Sequence, residues 1–180
     1  MENFQSRQMK LTKISTFGQW ICVMSLILII GYCAYIAVQP QEAAALFHNG
    51  VPGTYYPPSN SVIYLSEFVA VVPVAIFVAT LLNARKMFGL IGSGQFLSLH
   101  CQNILRRLGF LALAGSITSI ICRSLLVLLI TSANPPGQKM LVVGIDSGQI
   151  SSLIGALLLF TFSLLVKDAA AIADENKQFI

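Results

Sequence analysis

Four apolar runs, at residues 20–38, 61–82, 108–132 and 149–166, alternate with polar stretches along the chain. Each is close to the ~20 residues that an α-helix needs to cross a hydrocarbon core of ~30 Å. The fourth is the shortest, and the apolar stretch 140–145 just before it offers an outward extension of its helix. This pattern predicts an all-α fold: an integral membrane four-helix bundle forming a single domain over 1–180. The first eighteen residues are polar and basic and are expected to fray or to lie on the membrane surface. A retained first span fits better than a signal peptide, because its apolar core is long and no small-x-small cleavage site follows.

Between the second and third spans, Leu97, Cys101, Ile104 and Leu108 recur at helical spacing, opposite a face carrying Ser98, Gln102 and Arg106. This reads as an amphipathic interfacial helix running straight into the third span, its apolar face a lipid anchor or a docking surface. Gly89, Gly92 and Gly94 before it read as a flexible elbow. They are no phosphate loop, since no Gly-Lys-Ser/Thr follows. Small residues at Ala112, Gly115, Ser116 and Ser119, and at Ser151 and Gly155, predict close helix contacts and offer a homo-oligomer face. The outer loop after the first span holds Pro40, Pro52, Pro57 and Pro58. Its Tyr55 and Tyr56 are candidates for headgroup anchoring or for an outer-loop contact.

Two charges interrupt the apolar runs: Glu67 in the second and Arg123 in the third. About thirteen Leu, Ile, Val and Phe residues in the third run contribute roughly 4–8 kcal/mol of insertion free energy, against a cost of about 2.5–3.5 kcal/mol for one Arg. The helix still inserts. With both termini inside, Glu67 lies roughly 9 Å and Arg123 roughly 13 Å below the outer ends of their spans. Consecutive spans pack antiparallel, so the two are expected to form an intramembrane ion pair. Such a pair would fix helix register or line a ligand or proton path. The alternative is a hydrated Glu67 with Arg123 snorkelling outward. Pro73 removes a backbone hydrogen bond from the second span and is a candidate hinge.

Composition agrees with a lipid solvent: 56% of residues are hydrophobic and 10% charged, with a mean hydropathy of +0.77. The net charge of +4 reflects topology. Arg7, Lys10, Lys13, Arg85, Lys86, Arg106, Arg107, Lys167 and Lys177 all fall on one side, predicting cytoplasmic N- and C-termini and a bacterial inner-membrane location. No basic reading element for direct nucleic-acid binding is present. The four cysteines form no C-x-x-C pair, and no metal-ligand cluster, H-E-x-x-H, G-x-S-x-G or P-loop occurs. Hence no enzyme, no metal and no cofactor is expected.

The strings FGLIGSGQFLSLHCQNILRRLGFLALAG and FSLLVKDAAAIADENKQFI resemble a bacterial family of small four-span membrane proteins of unknown function. The matching positions are Gly94, Phe96, Ser98, Asn103, Leu105, Arg106, Leu108 and Gly109, then Glu175 and Asn176. The sequence departs from that pattern around Leu99–Gln102 and in its Pro-rich outer loop. Members are often encoded beside a small helix-turn-helix (Xre-like) regulator, so the resemblance implies a soluble regulator or another membrane protein as partner.

The expected function is a non-enzymatic accessory, sensor or regulatory partner of another protein, with Arg106, Arg107, Asp174 and Glu175 as candidate cytoplasmic contacts. The alternatives are a small transporter or ion-pathway subunit using Glu67 and Arg123, or an immunity-type membrane protein acting through Tyr55 and Tyr56.

Overall fold

The computed structural model describes residues 2–39, 42, 45 and 59–178, with side chains at 9–39, 42, 45 and 59–172. It contains α1 (Glu2–Val38), α2 (Asn60–Gly92), α3 (Leu99–Thr131) and α4 (Ser147–Gln178). All four carry stretches long and apolar enough to cross a membrane. The fold is the expected all-α, multi-pass architecture.

Helix α1 begins far earlier than the apolar run. Residues 2–17 contain no Gly or Pro, so nothing breaks a helix there, and the polar segment does not fray. It packs on the far end of α2. The Ser15 hydroxyl donates to the Phe88 carbonyl, and a Cβ on Gly92 would lie 2.6 Å from Ser15 Oγ. A Cβ on Gly18 would meet the Phe88 ring at 2.7 Å. These two glycines let the α1 and α2 backbones approach closely.

Helix α2 runs unbroken through Pro73. Of the three glycines in the expected elbow, only Gly94 turns the chain, with φ of 77°. The Gly94 N–H bonds to the Ile91 carbonyl and the Gln95 N–H to the Leu90 carbonyl, the Schellman pattern that ends a helix at a left-handed glycine. Ser98 then caps α3 by accepting from the Cys101 N–H at 3.1 Å. The amphipathic segment is therefore the first turns of α3. Of its expected apolar face, Leu97 lies before the helix and is exposed, while Cys101, Ile104 and Leu108, with Leu105 beside them, are buried inside the protein, where Ser163 of α4 donates to the Gln102 carbonyl at 3.3 Å. That face is turned toward α4 and not toward lipid.

Helices α3 and α4 interlock through Phe110 and Phe160, edge-to-face at 5.0 Å, and through hydroxyl bonds. Ser152 donates to the Ala112 carbonyl at 3.1 Å and Ser116 to the Gln149 carbonyl at 3.2 Å. The small-residue face of α3 is used as expected. On α4 the contact lies one residue on, at Ser152 and the fully buried Ala156, while Gly155 faces open space.

The stretch 140–145 does not extend α4 outward. It has no helical structure and runs back along α3, tied by hydroxyls. Thr131 Oγ1 accepts from the Met140 N–H at 3.1 Å, and Ser124 Oγ donates to the Val142 carbonyl at 2.9 Å. Irregular backbone beside a membrane helix needs such partners for its polar groups.

Each helix packs chiefly on its neighbour in sequence, α1 on α2, α2 on α3 and α3 on α4. Among the described residues, no comparable packing joins α1 and α4, the ends of the series.

Candidate functional site

Where α4 begins, Asp146 makes three bonds through its side chain. Oδ1 accepts from the backbone N–H of Gly148 at 2.8 Å and of Gln149 at 3.2 Å. Gln149 Oε1 in turn accepts from the Asp146 N–H at 2.6 Å. This reciprocal arrangement is a capping box. The second oxygen, Oδ2, accepts from Arg123 Nη1 at 3.0 Å, with the two side chains 57% and 50% exposed. The carboxylate is thus held by a cation and by the positive end of a helix.

The expected Glu67–Arg123 pair is therefore not formed: Arg123 takes Asp146. The height argument behind that expectation survives. Gly115 of α3 abuts Ile76 of α2, and counting about nine residues outward on each helix brings Glu67 level with Ser124. The direction fails. Glu67 is about two and a half turns from Ile76 and so leaves α2 from the opposite face. Its Oε1 is buried with no hydrogen-bond partner among the described residues, as is Ser66 Oγ.

Counting likewise from the Gly18–Phe88 contact, the end of α1 at Val38 stands level with Phe68, next to Glu67. The C-terminal end of α1, Glu67, Arg123 and Asp146 thus form one layer. Along α3 that layer is about 24 Å from Arg107, the product of sixteen residues and the helical rise. Arg85, Lys86, Arg106, Arg107 and Lys167 are exposed at the opposite end. Charge is consequently concentrated at two levels separated by slightly less than a hydrocarbon thickness.

Between α1 and α4, with α2 and α3 as its floor, lies an open cleft of about 750 Å³. Leu28, Phe77 and Leu111 line its deeper part, while Tyr32, Ser119 and Asp146 line the part nearest the charged layer. Pro73 lies in its wall. No three His, Cys, Asp or Glu side chains are grouped to hold a metal among the described residues. The cleft's one carboxylate, Asp146, is already committed to its cap and to Arg123.

Arg106 and Arg107 are exposed at the basic end, with no ion pair among the described residues. Asp174 and Glu175 lie within α4, but their side chains fall outside the described set, and Tyr55 and Tyr56 fall outside the described residues altogether. Sequence reasoning missed Asp146 and Gln149 as site residues. The signal was present: an Asp followed three residues later by Gln, directly before an apolar run, marks a helix start.

Residues 20–180 match a family model whose description is a protein of unknown function. No curated protein and no solved structure matches the chain.

Proposed function

We propose a non-enzymatic sensor or accessory role for this chain, which belongs to the protein family of unknown function DUF2975 and takes no assigned activity from it. One observation carries the reading: α1 and α4 stand apart and leave an open cleft of about 750 Å³ reached by all four helices. Ligand sites in membrane and soluble bundles are concave, mostly apolar and provided with a few placed polar groups. This cleft has that character at its Asp146 end. Occupancy there changes how far α1 stands from α4, because α1 is held chiefly by α2.

The signal emerges at the basic end. There α1 and α2 are in close contact at Ser15, Gly18, Phe88 and Gly92, beside the exposed cations Arg85, Lys86, Arg106 and Arg107. A protein partner with an acidic surface fits this end, which the positive-inside rule assigns to the cytoplasm.

Pulsed spin-label distances between Met24 on α1 and Leu157 on α4, with the native cysteines replaced, test the reading in lipid nanodiscs. Both positions are exposed. Ser119→Trp places a large ring in the cleft and should shift the distance distribution, as should native lipid extract in place of a synthetic lipid. A distribution indifferent to both refutes a sensing role. Charge reversal at Arg106 and Arg107 should separately weaken partner binding.

A further inference from the structure

We infer that the cleft between α1 and α4 seats one acyl chain of a glycerophospholipid whose phosphate is held by Arg123. This rests on the reading of the cleft as a ligand site and names its ligand class.

Size argues first. An α-helix about 10 Å across occupies roughly 420 Å³ per turn, so a cleft of about 750 Å³ accepts less than two turns. A spanning helix from a second copy or another protein needs more than five. The volume falls instead within the range of roughly 300–1,000 Å³ usual for small-molecule sites.

Position argues next. Arg123 follows Ala112, Ser116 and Ser119 on one face of α3, and those three line the cleft. Its guanidinium touches Asp146, itself a lining residue. The cation therefore stands at the cleft's outer rim, one turn above Ser119, with the apolar walls of Leu28, Phe77 and Leu111 below. At about 24 Å from the Arg107 layer, it reaches the headgroup region by snorkelling.

Unused hydrogen-bonding capacity decides the sign of the head. Asp146 has both carboxylate oxygens engaged. Arg123 uses one of its five N–H donors, and the rest meet no acceptor among the described residues. The hydroxyls of Ser119 and Tyr32 likewise have no partner there. Asp146 cancels the Arg123 charge, and the α4 N-terminus adds roughly half a positive charge. What the rim offers is donors and a slight positive excess, which an anionic, acceptor-rich group complements. Arginine forms paired bonds to phosphate oxygens in this way.

The test is native mass spectrometry of the delipidated full chain in detergent, titrated with phosphatidylglycerol, with diacylglycerol of the same chains and with oleate. A one-to-one phosphatidylglycerol complex is expected, with diacylglycerol and oleate each about 10-fold weaker. Arg123→Gln should bring phosphatidylglycerol down to the diacylglycerol level, Arg123→Lys should retain part of the affinity, and Ser119→Trp should abolish binding of both. Thermal melts of each variant in the same detergent separate loss of binding from loss of fold. Phosphatidylglycerol binding unchanged by Ser119→Trp removes the cleft as the phospholipid's seat and overturns this inference, while the sensor reading stands or falls separately on the spin-label distances. Binding lost in Ser119→Trp but unchanged in Arg123→Gln and Arg123→Lys leaves the cleft and overturns the phosphate assignment alone. Oleate binding as tightly as phosphatidylglycerol overturns the phospholipid in favour of a fatty acid.

Discussion

Asp146 grips Arg123 with one carboxylate oxygen at 3.0 Å and caps α4 with the other. Removing either residue therefore has unequal consequences. Asp146→Ala loses the cap and the ion pair and should destabilise the protein by about 1–2 kcal/mol. Arg123→Gln loses a half-exposed pair only, worth roughly 0.2–1 kcal/mol. A double-mutant cycle by reversible unfolding in mixed detergent micelles should show coupling between these two. Glu67→Gln should be additive with Arg123→Gln, and measurable coupling there would contradict the pairing described.

The contact between α1 and α2 sets a second expectation. Gly18→Leu drives a side chain into the Phe88 ring, which already lies 2.7 Å from where a Cβ would sit. Overpacking of this kind costs about 1–3 kcal/mol, and it should lower the melting temperature. At Gly155 nothing lies within 4 Å, so Gly155→Ala should raise stability by up to about 1 kcal/mol through helix propensity. Equal effects of the two substitutions would argue against the close approach.

Thr131 is fully buried, donates to the Val127 carbonyl at 2.7 Å and accepts from the Met140 N–H at 3.1 Å. Thr131→Val keeps the shape and leaves that N–H without its acceptor, at a cost of about 1–3 kcal/mol. Hydrogen exchange should accelerate at residues 140–146 while α1 and α2 are unchanged. Uniform exchange across the chain would mean that the segment is held by something else.

The cysteines differ in access. Cys22, Cys101 and Cys122 are buried and Cys33 is exposed in the cleft wall. Maleimide in detergent should modify Cys33 first, and phosphatidylglycerol should slow that reaction several-fold in the wild type but not in Ser119→Trp. Fast labelling of Cys101 would instead place the start of α3 away from α4.

The number of spans and the height of each charge were legible in the chain, because hydropathy and helical rise report on length. Direction around a helix axis was not. Glu67 and Arg123 stand at nearly the same level, yet they leave their helices on faces that do not meet. The true partner was hidden by the stretch 140–145, whose composition suits a helix extension and which instead returns along α3. The Thr131 and Ser124 hydroxyls, contributed by another element, help to hold that path. The amphipathic start of α3 shows the same limit. Its spacing announced an apolar face, but a face that meets lipid and one that meets α4 have identical periodicity. On α4, Ser151 and Gly155 were separated from the residues actually used, Ser152 and Ala156, by a single step of about 100°.

Because each helix after the first packs on the one before it, the order of assembly can follow the order of synthesis. α2 can dock as soon as it leaves the ribosome, since α1 already waits in the bilayer, and α3 and α4 follow in turn. No helix must be held unpaired for a distant mate, as a ring closed by α1 and α4 would require. The opening between α1 and α4 thus frees the nascent chain from a long-range closing step.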